Sequence, residues 1–225
     1  MRVLYRYKRK ILKYIEYLQF DPEKFWEQEG GEKYFNNFHT LADRNEEEFL
    51  EVIEKNKPNS ILDLGCGYGK YLKAINDRFP NIKLTGCEIS QSQINKAIEF
   101  LNNDEIELVK TDGKTLPLRD KAFDLVITYG CLSLVKKNDL LKFYKEIERV
   151  AHKGLFLEYY VKDAPVLHHI YHYNYDYYKL FNKQLIKTKI LGDNGDTLWY
   201  VDLSKSSWYS LFYRCDIKSI ILNNI

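Results

Sequence analysis

From residue 60 onward, short apolar runs alternate with longer segments in which apolar positions recur every three or four residues. The runs over 60–64, 83–88, 106–110, 123–128 and 154–159 read as strands; the first stops at a cluster of glycines, as a buried parallel strand does. The periodic segments over 68–79, 90–102 and 138–150 read as helices, and Ser90 stands where an N-cap is wanted. Strands separated by helices, repeated this often, predict a parallel sheet covered on both faces. The runs 185–191 and 197–203 flank Gly192-Asp-Asn-Gly195, a hairpin-like connection. The stretch 208–221 is aromatic and apolar and reads as a strand or a helix.

Upstream of this alternation the pattern changes. Val3, Leu4, Tyr7, Ile11, Tyr14, Ile15 and Leu18 fall near a helical period, with basic residues on the other face. Residues 1–20 hold six basic and one acidic side chain, +5, whereas residues 21–55 hold eleven acidic and four basic, −7. The first segment reads as a helix packed on the domain or on a second subunit; the sharper reading is a helix on an anionic membrane or on RNA. It has no continuous apolar core and is not read as a secretory signal. Gly30-Gly31 marks a turn, and 40–55 reads as a helix with Leu41, Phe49, Leu50 and Ile53 inward and Glu46, Glu47 and Glu48 solvated. The expected division is an N-terminal helical extension over 1–55 and a domain over 56–225 carrying a lid insertion near 161–184.

Composition narrows the class. Apolar residues make up 45% of the 225 and charged residues 29%, a globular mix, and the net charge of +2 gives no basic field for nucleic acid. No run approaches the roughly 20 apolar residues of a spanning helix. Cys66, Cys87, Cys131 and Cys215 form no C-x-x-C pair and no zinc spacing, so no metal is expected and the cysteines read as reduced, in a cytoplasmic protein.

Candidate chemistry lies at the ends of the first three strands. Asp63-Leu-Gly65-Cys66-Gly67-Tyr-Gly69 combines a tight glycine turn with a preceding carboxylate. Lys70 stands where a dinucleotide fingerprint has its third glycine, and no G-K-[ST] follows, which excludes a Walker-type loop. Asp63 suits an amine-bearing ligand and would repel a pyrophosphate. Glu88 ends the second strand, where an acid accepts from ribose hydroxyls. Asp112-Gly113 ends the third, where an acid accepts from an exocyclic amine. Each acid alone has an ordinary explanation as a cap, a turn residue or a solvated side chain; three at successive strand ends beside this turn form a site.

The segments ILDLGCGYGKYL, GCEIS, VKTDGKTLPL and FDLVITYGCLSLV resemble the successive cofactor motifs of class I S-adenosylmethionine-dependent methyltransferases, most nearly the small-molecule kind with the type 11 methyltransferase domain. The resemblance covers roughly 56–160. It implies a Rossmann-like seven-stranded α/β sheet whose last strand is antiparallel. It implies S-adenosylmethionine as cofactor, with the methionine moiety over Gly65, Cys66, Gly67 and Gly69, the ribose on Glu88, and the adenine between Ile89 and Asp112-Gly113. Tyr129 in Thr128-Tyr-Gly130 would line the methyl-donor side. The chemistry is an in-line displacement needing a nucleophile near 3–3.5 Å from the methyl carbon.

No motif names the acceptor. The Asn/Asp-Pro-Pro-Tyr/Phe tetrapeptide of amino-group DNA methyltransferases and a Pro-Cys nucleophile are both absent, so no DNA partner is expected; Cys131 reads as a packed small residue. Two segments are candidates for shaping the acceptor pocket. Over 32–39, Tyr34, Phe38 and His39 would fold over the cofactor or pack as an ordinary helix. Over 159–178 lie seven tyrosines and three of the five histidines, a lid or a tyrosine-rich helix packed on the sheet. His39, Tyr129, His168 and His172 are the catalytic candidates. The expected activity is methyl transfer to a small metabolite or glycan precursor at oxygen. The alternatives are a macromolecular acceptor (RNA, protein or lipid-linked) docked through residues 1–20, and a non-catalytic cofactor-binding protein. Monomer and homodimer are both open.

Overall fold

The computed structural model describes residues 19–40, 43, 45–160, 173–191 and 196–205. Outside them lie nearly all of the expected basic helix, Leu41, the stretch 161–172 with His168 and His172, the turn 192–195, the stretch 208–221 and Cys215.

Seven strands form one sheet in the order β3-β2-β1-β4-β5-β7-β6. They are β1 (Ser60–Leu64), β2 (Lys83–Glu88), β3 (Glu107–Lys110), β4 (Phe123–Tyr129), β5 (Ala151–Tyr159), β6 (Leu185–Ile190) and β7 (Asp196–Asp202). The first five are parallel; β7 runs antiparallel to both β5 and β6 and is the one reversed strand. This is the architecture the sequence predicts. The chain turns outward in both directions from β1, which pairs β2 on one side and β4 on the other. A ligand crevice is expected there, beyond the carboxyl ends.

Strand residues alternate between two cores, as burial on both faces requires. Leu62, Leu64, Val126 and Phe156 join one; Ile61, Leu125, Ile127, Leu155 and Leu157 join the other. The first core is covered by α6 (Lys137–Val150) and α7 (Tyr177–Phe181), with Phe143, Tyr144, Ile147, Phe181 and the fully buried Trp199. The second is covered by α3 (Glu46–Asn56), α4 (Lys70–Arg78) and α5 (Gln91–Leu101) through Phe49, Ile53, Leu72, Ile75 and Ala97.

Two further helices, α1 (Pro22–Glu29) and α2 (Gly31–Phe38), dock on the start of α5. Asp21 caps α1 by accepting from Lys24 N, and Pro22 takes the first turn, where a missing N–H costs nothing. Ser90 Oγ donates to Trp26 O (3.1 Å) and Glu27 Oε2 (3.0 Å), and Gly31 N donates to Gln93 Oε1 (3.1 Å). A Cβ on Gly31, at φ +57°, would stand 2.9 Å from Ser92 O; glycine is what lets the helix junction lie flat on α5.

Several boundaries differ from expectation. The helix expected from 40 starts at Glu46, because the chain first makes a turn in which Glu46 N donates to Asp43 O. The strand expected from 154 starts at Ala151, since α6 runs into β5 without a loop and polar His152 and Lys153 occupy its first turn-free positions. The third strand begins at Glu107 and α4 at Lys70. Within the proposed lid, Tyr173, Tyr175 and Tyr177 are buried in the first core, and Tyr175 Oη donates to Val135 O at 2.6 Å. These three rings are packing residues of the first core: Tyr173 stacks on Tyr175 beside the β4–α6 connection, and Tyr177 packs on Phe181 and Trp199.

Candidate active site

A cavity of about 1030 Å³ opens at the carboxyl ends of β1 to β4. That is at the upper end of ligand pockets, large enough for a nucleoside and a second small molecule. Its floor includes Gly65, Gly67, Glu88, Ile89, Asp112, Gly113 and Tyr129, all anticipated from the sequence. Trp26, Tyr34 and Phe38 from α1 and α2 stand over it. Asp63, Cys66 and Gly69 do not line it: they are buried behind the turn. Gly69, at φ +85°, is the N-cap of α4, and a Cβ there would meet Leu101 at 3.1 Å. His39 is exposed, stacks on Phe35 and shares a 2.7 Å hydrogen bond with Phe35 O; its ring has no part in the cavity.

The glycine turn is closed on itself. Gly65 N and Cys66 N both donate to Cys87 O, Gly67 N donates to Glu88 Oε2 (3.0 Å), and Gly69 N donates to Cys66 O. An anion-binding turn presents unpaired amides to its ligand. These four amides are already used, and two carboxylates lie close by, so the turn is built against a phosphate.

Glu88 is buried and accepts three amides: Ile89 N (2.8 Å) and Ser90 N (3.0 Å) on Oε1, and Gly67 N on Oε2. A carboxylate offers about four acceptor positions. About one is left for a ligand, where the sequence suggested both ribose hydroxyls. Burial raises its pKa, and the amides oppose the shift. Asp63 is more extreme: it is 2% exposed, and its Oδ2 has no hydrogen-bond partner. Burial, with Glu88 nearby, pushes its carboxyl up to about 8. A buried carboxylate oxygen without a donor is costly unless a cation or a proton meets it. Asp112 is exposed; its Oδ1 accepts from Lys114 N and its Oδ2 pairs with Lys114 Nζ at 3.1 Å. Gly113, at φ +74°, lies over Phe143, which a Cβ would approach to 2.1 Å.

Sequence reasoning missed three supports. Glu158 on β5, fully buried, accepts from Thr128 Oγ1 (2.7 Å), Leu132 N (2.9 Å) and Ser133 N (3.0 Å), and so fixes the turn after β4; burial pushes its carboxyl up to about 7. Gln93 ties the roof to α5. Asp43 accepts from the hydroxyls of Tyr71 and Tyr129. Each pair is distant in sequence, and no local pattern announces it. The cavity (a bonded acid, a glycine-lined floor without free amides, aromatic walls), with the donorless Oδ2 of Asp63 buried behind its glycine turn, fits a nucleoside that carries an ammonium group and no phosphate.

The comparisons with known proteins agree with that geometry. Residues 61–154 match the family model described as "Methyltransferase domain". The human probable tRNA methyltransferase 9B is 31% identical over 135 residues, covering 59% of this chain and 27% of that protein. The malonyl-[acyl-carrier protein] O-methyltransferase of Geobacter sulfurreducens is 33% identical over 110 residues, covering 48% of this chain and 39% of that protein. The chain thus spans well under half the length of these curated relatives. Among solved structures, the PH0226 protein of Pyrococcus horikoshii OT3 superposes with a TM-score of 0.60 at 20% identity, covering 77% of this chain and 99% of that one, a likeness of fold. From sheet order, cavity and family match together, the chain carries a methyltransferase domain of the class I, S-adenosylmethionine-dependent kind.

Proposed function

We propose that this protein transfers a methyl group from S-adenosylmethionine to a small acceptor held beneath α1 and α2. The observation that carries the reading is the buried, donorless Oδ2 of Asp63 behind a glycine turn whose amides are already satisfied. That pair suits the ammonium of a methionine moiety and rejects phosphate. Bound S-adenosylmethionine supplies a sulfonium methyl that is already activated for in-line displacement. The chain's part is placement. In this reading Glu88 takes a ribose hydroxyl on its remaining acceptor position, and Ile89 and the Asp112-Gly113 turn flank the adenine. Tyr129 stands at the methyl side. The roof, anchored by Gln93 and Glu27, keeps water from the reacting atoms.

The acceptor is proposed as neutral, with oxygen the receiving atom. Several carboxylates at the rim already have cations: Glu29 with Lys33, Glu23 with Lys110, and Asp112 and Asp139 with Lys114. A protonated amine acceptor would want an anionic group of its own, and with these carboxylates paired a neutral hydroxyl is the acceptor group proposed. The base for a hydroxyl is proposed among His168 and His172, on the chain between β5 and α7.

A second reading is supported by the similarity to a tRNA methyltransferase: a macromolecular acceptor docked through the basic residues 1–20. Transfer of a labelled methyl group from S-adenosylmethionine separates the two. Label entering small hydroxyl compounds, unchanged on deleting residues 1–18, supports the first reading. Label entering only RNA or protein, and lost on that deletion, replaces it with the second. Tight cofactor binding without transfer to any acceptor would leave a non-catalytic binding protein.

A further inference from the structure

Asp43 lies between α2 and α3, outside every cofactor motif, and its side chain is only 10% exposed. Its Oδ1 accepts from Tyr129 Oη at 2.7 Å and from Asn45 N at 2.9 Å. Its Oδ2 accepts from Tyr71 Oη and lies 3.6 Å from Lys70 Nζ. The two phenol rings are stacked, with centroids 4.0 Å apart and planes 18° apart, and Phe49 meets Tyr129 edge-on and lies tilted against Tyr71. Tyr129 is the last residue of β4 and a wall of the cavity; Tyr71 and Lys70 sit on the first turn of α4, directly after the glycine turn.

One carboxylate therefore gathers two phenols and an ammonium from two separate elements, α4 and the end of β4. A tyrosine at a strand end has several open rotamers. Stacking restrains the plane of the Tyr129 ring, and a charge-assisted hydrogen bond at its tip selects one rotamer. Asp43 is also carried by the segment that joins the roof to the body, so the same bond sets the roof's last residues against the wall beneath. We propose that Asp43 is a positioning residue: it holds Tyr129 as the fixed wall of the methyl-transfer chamber and ties the N-terminal extension to the end of β4. The proposal rests on the reading of the cavity as the S-adenosylmethionine site.

The test is a double-mutant cycle. The affinity for S-adenosylhomocysteine is measured by calorimetry, with Tm recorded alongside, for wild type, Asp43→Ala, Tyr129→Phe and the double variant. Each single change is expected to weaken binding about tenfold, the effect of one charge-assisted hydrogen bond. The double variant is expected to bind no more weakly than the weaker single, because both remove the same bond. Asp43→Asn, which keeps an acceptor oxygen and guards against a poorly folded alanine variant, is expected to restore most of the affinity. A lower Tm with unchanged affinity, or losses that add in the double variant, overturns the proposal while leaving the cofactor reading intact. Wild-type protein that binds no S-adenosylhomocysteine overturns the cofactor reading and this proposal with it.

Discussion

Two carboxylates beside the glycine turn have opposite bookkeeping, and mutation separates them. Asp63 has no donor on Oδ2 and Glu88 has three amides. Asp63→Asn removes a costly buried group, so the ligand-free protein should be as stable as wild type or more so at pH 8, while cofactor affinity falls at least tenfold. A loss of both together would contradict a ligand-directed role. The folded chain keeps a proton on Asp63 that the unfolded chain releases around the ordinary value of 3.8, so its contribution is full below that pH and is lost as pH rises toward about 8. Thermal melts from pH 4 to pH 8 should show stability declining across that window, and less steeply in Asp63→Asn. Glu88→Ala should instead cost about 3 kcal/mol of stability, from amides left without acceptors, together with cofactor affinity. Denaturant titration would detect it. Glu88 and Asp112, which line the cavity, were legible in the sequence because each stands at or just past the end of an apolar run, whereas Asp63 lies within β1 and behind the turn. Asp43, 86 positions from Tyr129, was not legible, because its meaning lies in a contact across the fold.

At the level of elements, the glycines of the crevice differ in what fixes them. Gly113 and Gly130 both have positive φ, +74° and +67°. A Cβ on Gly113 would meet Phe143 at 2.1 Å, whereas one on Gly130 meets nothing within 4 Å. Gly113→Ala should therefore destabilise by about 3 kcal/mol, from backbone strain plus a clash with α6, and Gly130→Ala by only about 1 kcal/mol. Equal losses in thermal melts would mean that backbone conformation alone decides. The turn after β4 depends on Glu158, whose carboxyl stands at about 7. The strands Ser60–Leu64, which a glycine turn ends, and Lys83–Glu88 were readable to the residue. The start of β5 was not: Ala151 pairs with Phe123 in the sheet, but the polar pair that follows it hides the strand from any hydrophobic pattern. The tyrosine-rich stretch reads ambiguously for a related reason: a tyrosine serves equally as a pocket wall or as core, and Tyr173, Tyr175 and Tyr177 prove to be core.

For the molecule as a whole, the sheet order places four strand ends around one cavity, and a helical extension upstream of β1 closes over it. Among the described residues no helix is long and apolar enough to cross a membrane. The family was legible because its motifs are local, each at the end of a strand; the roof was only partly so, because it docks through Gln93 and Glu27 rather than through a motif. The central claim is that this cavity holds a sulfonium nucleoside by its ammonium and ribose. A crystal structure of the protein grown with S-adenosylhomocysteine tests it most directly. The amino-acid end should lie against the glycine turn in front of Asp63, with a ribose hydroxyl on Glu88 and the base beside Asp112-Gly113. Density for the nucleoside elsewhere, or an empty cavity at saturating ligand, would contradict it.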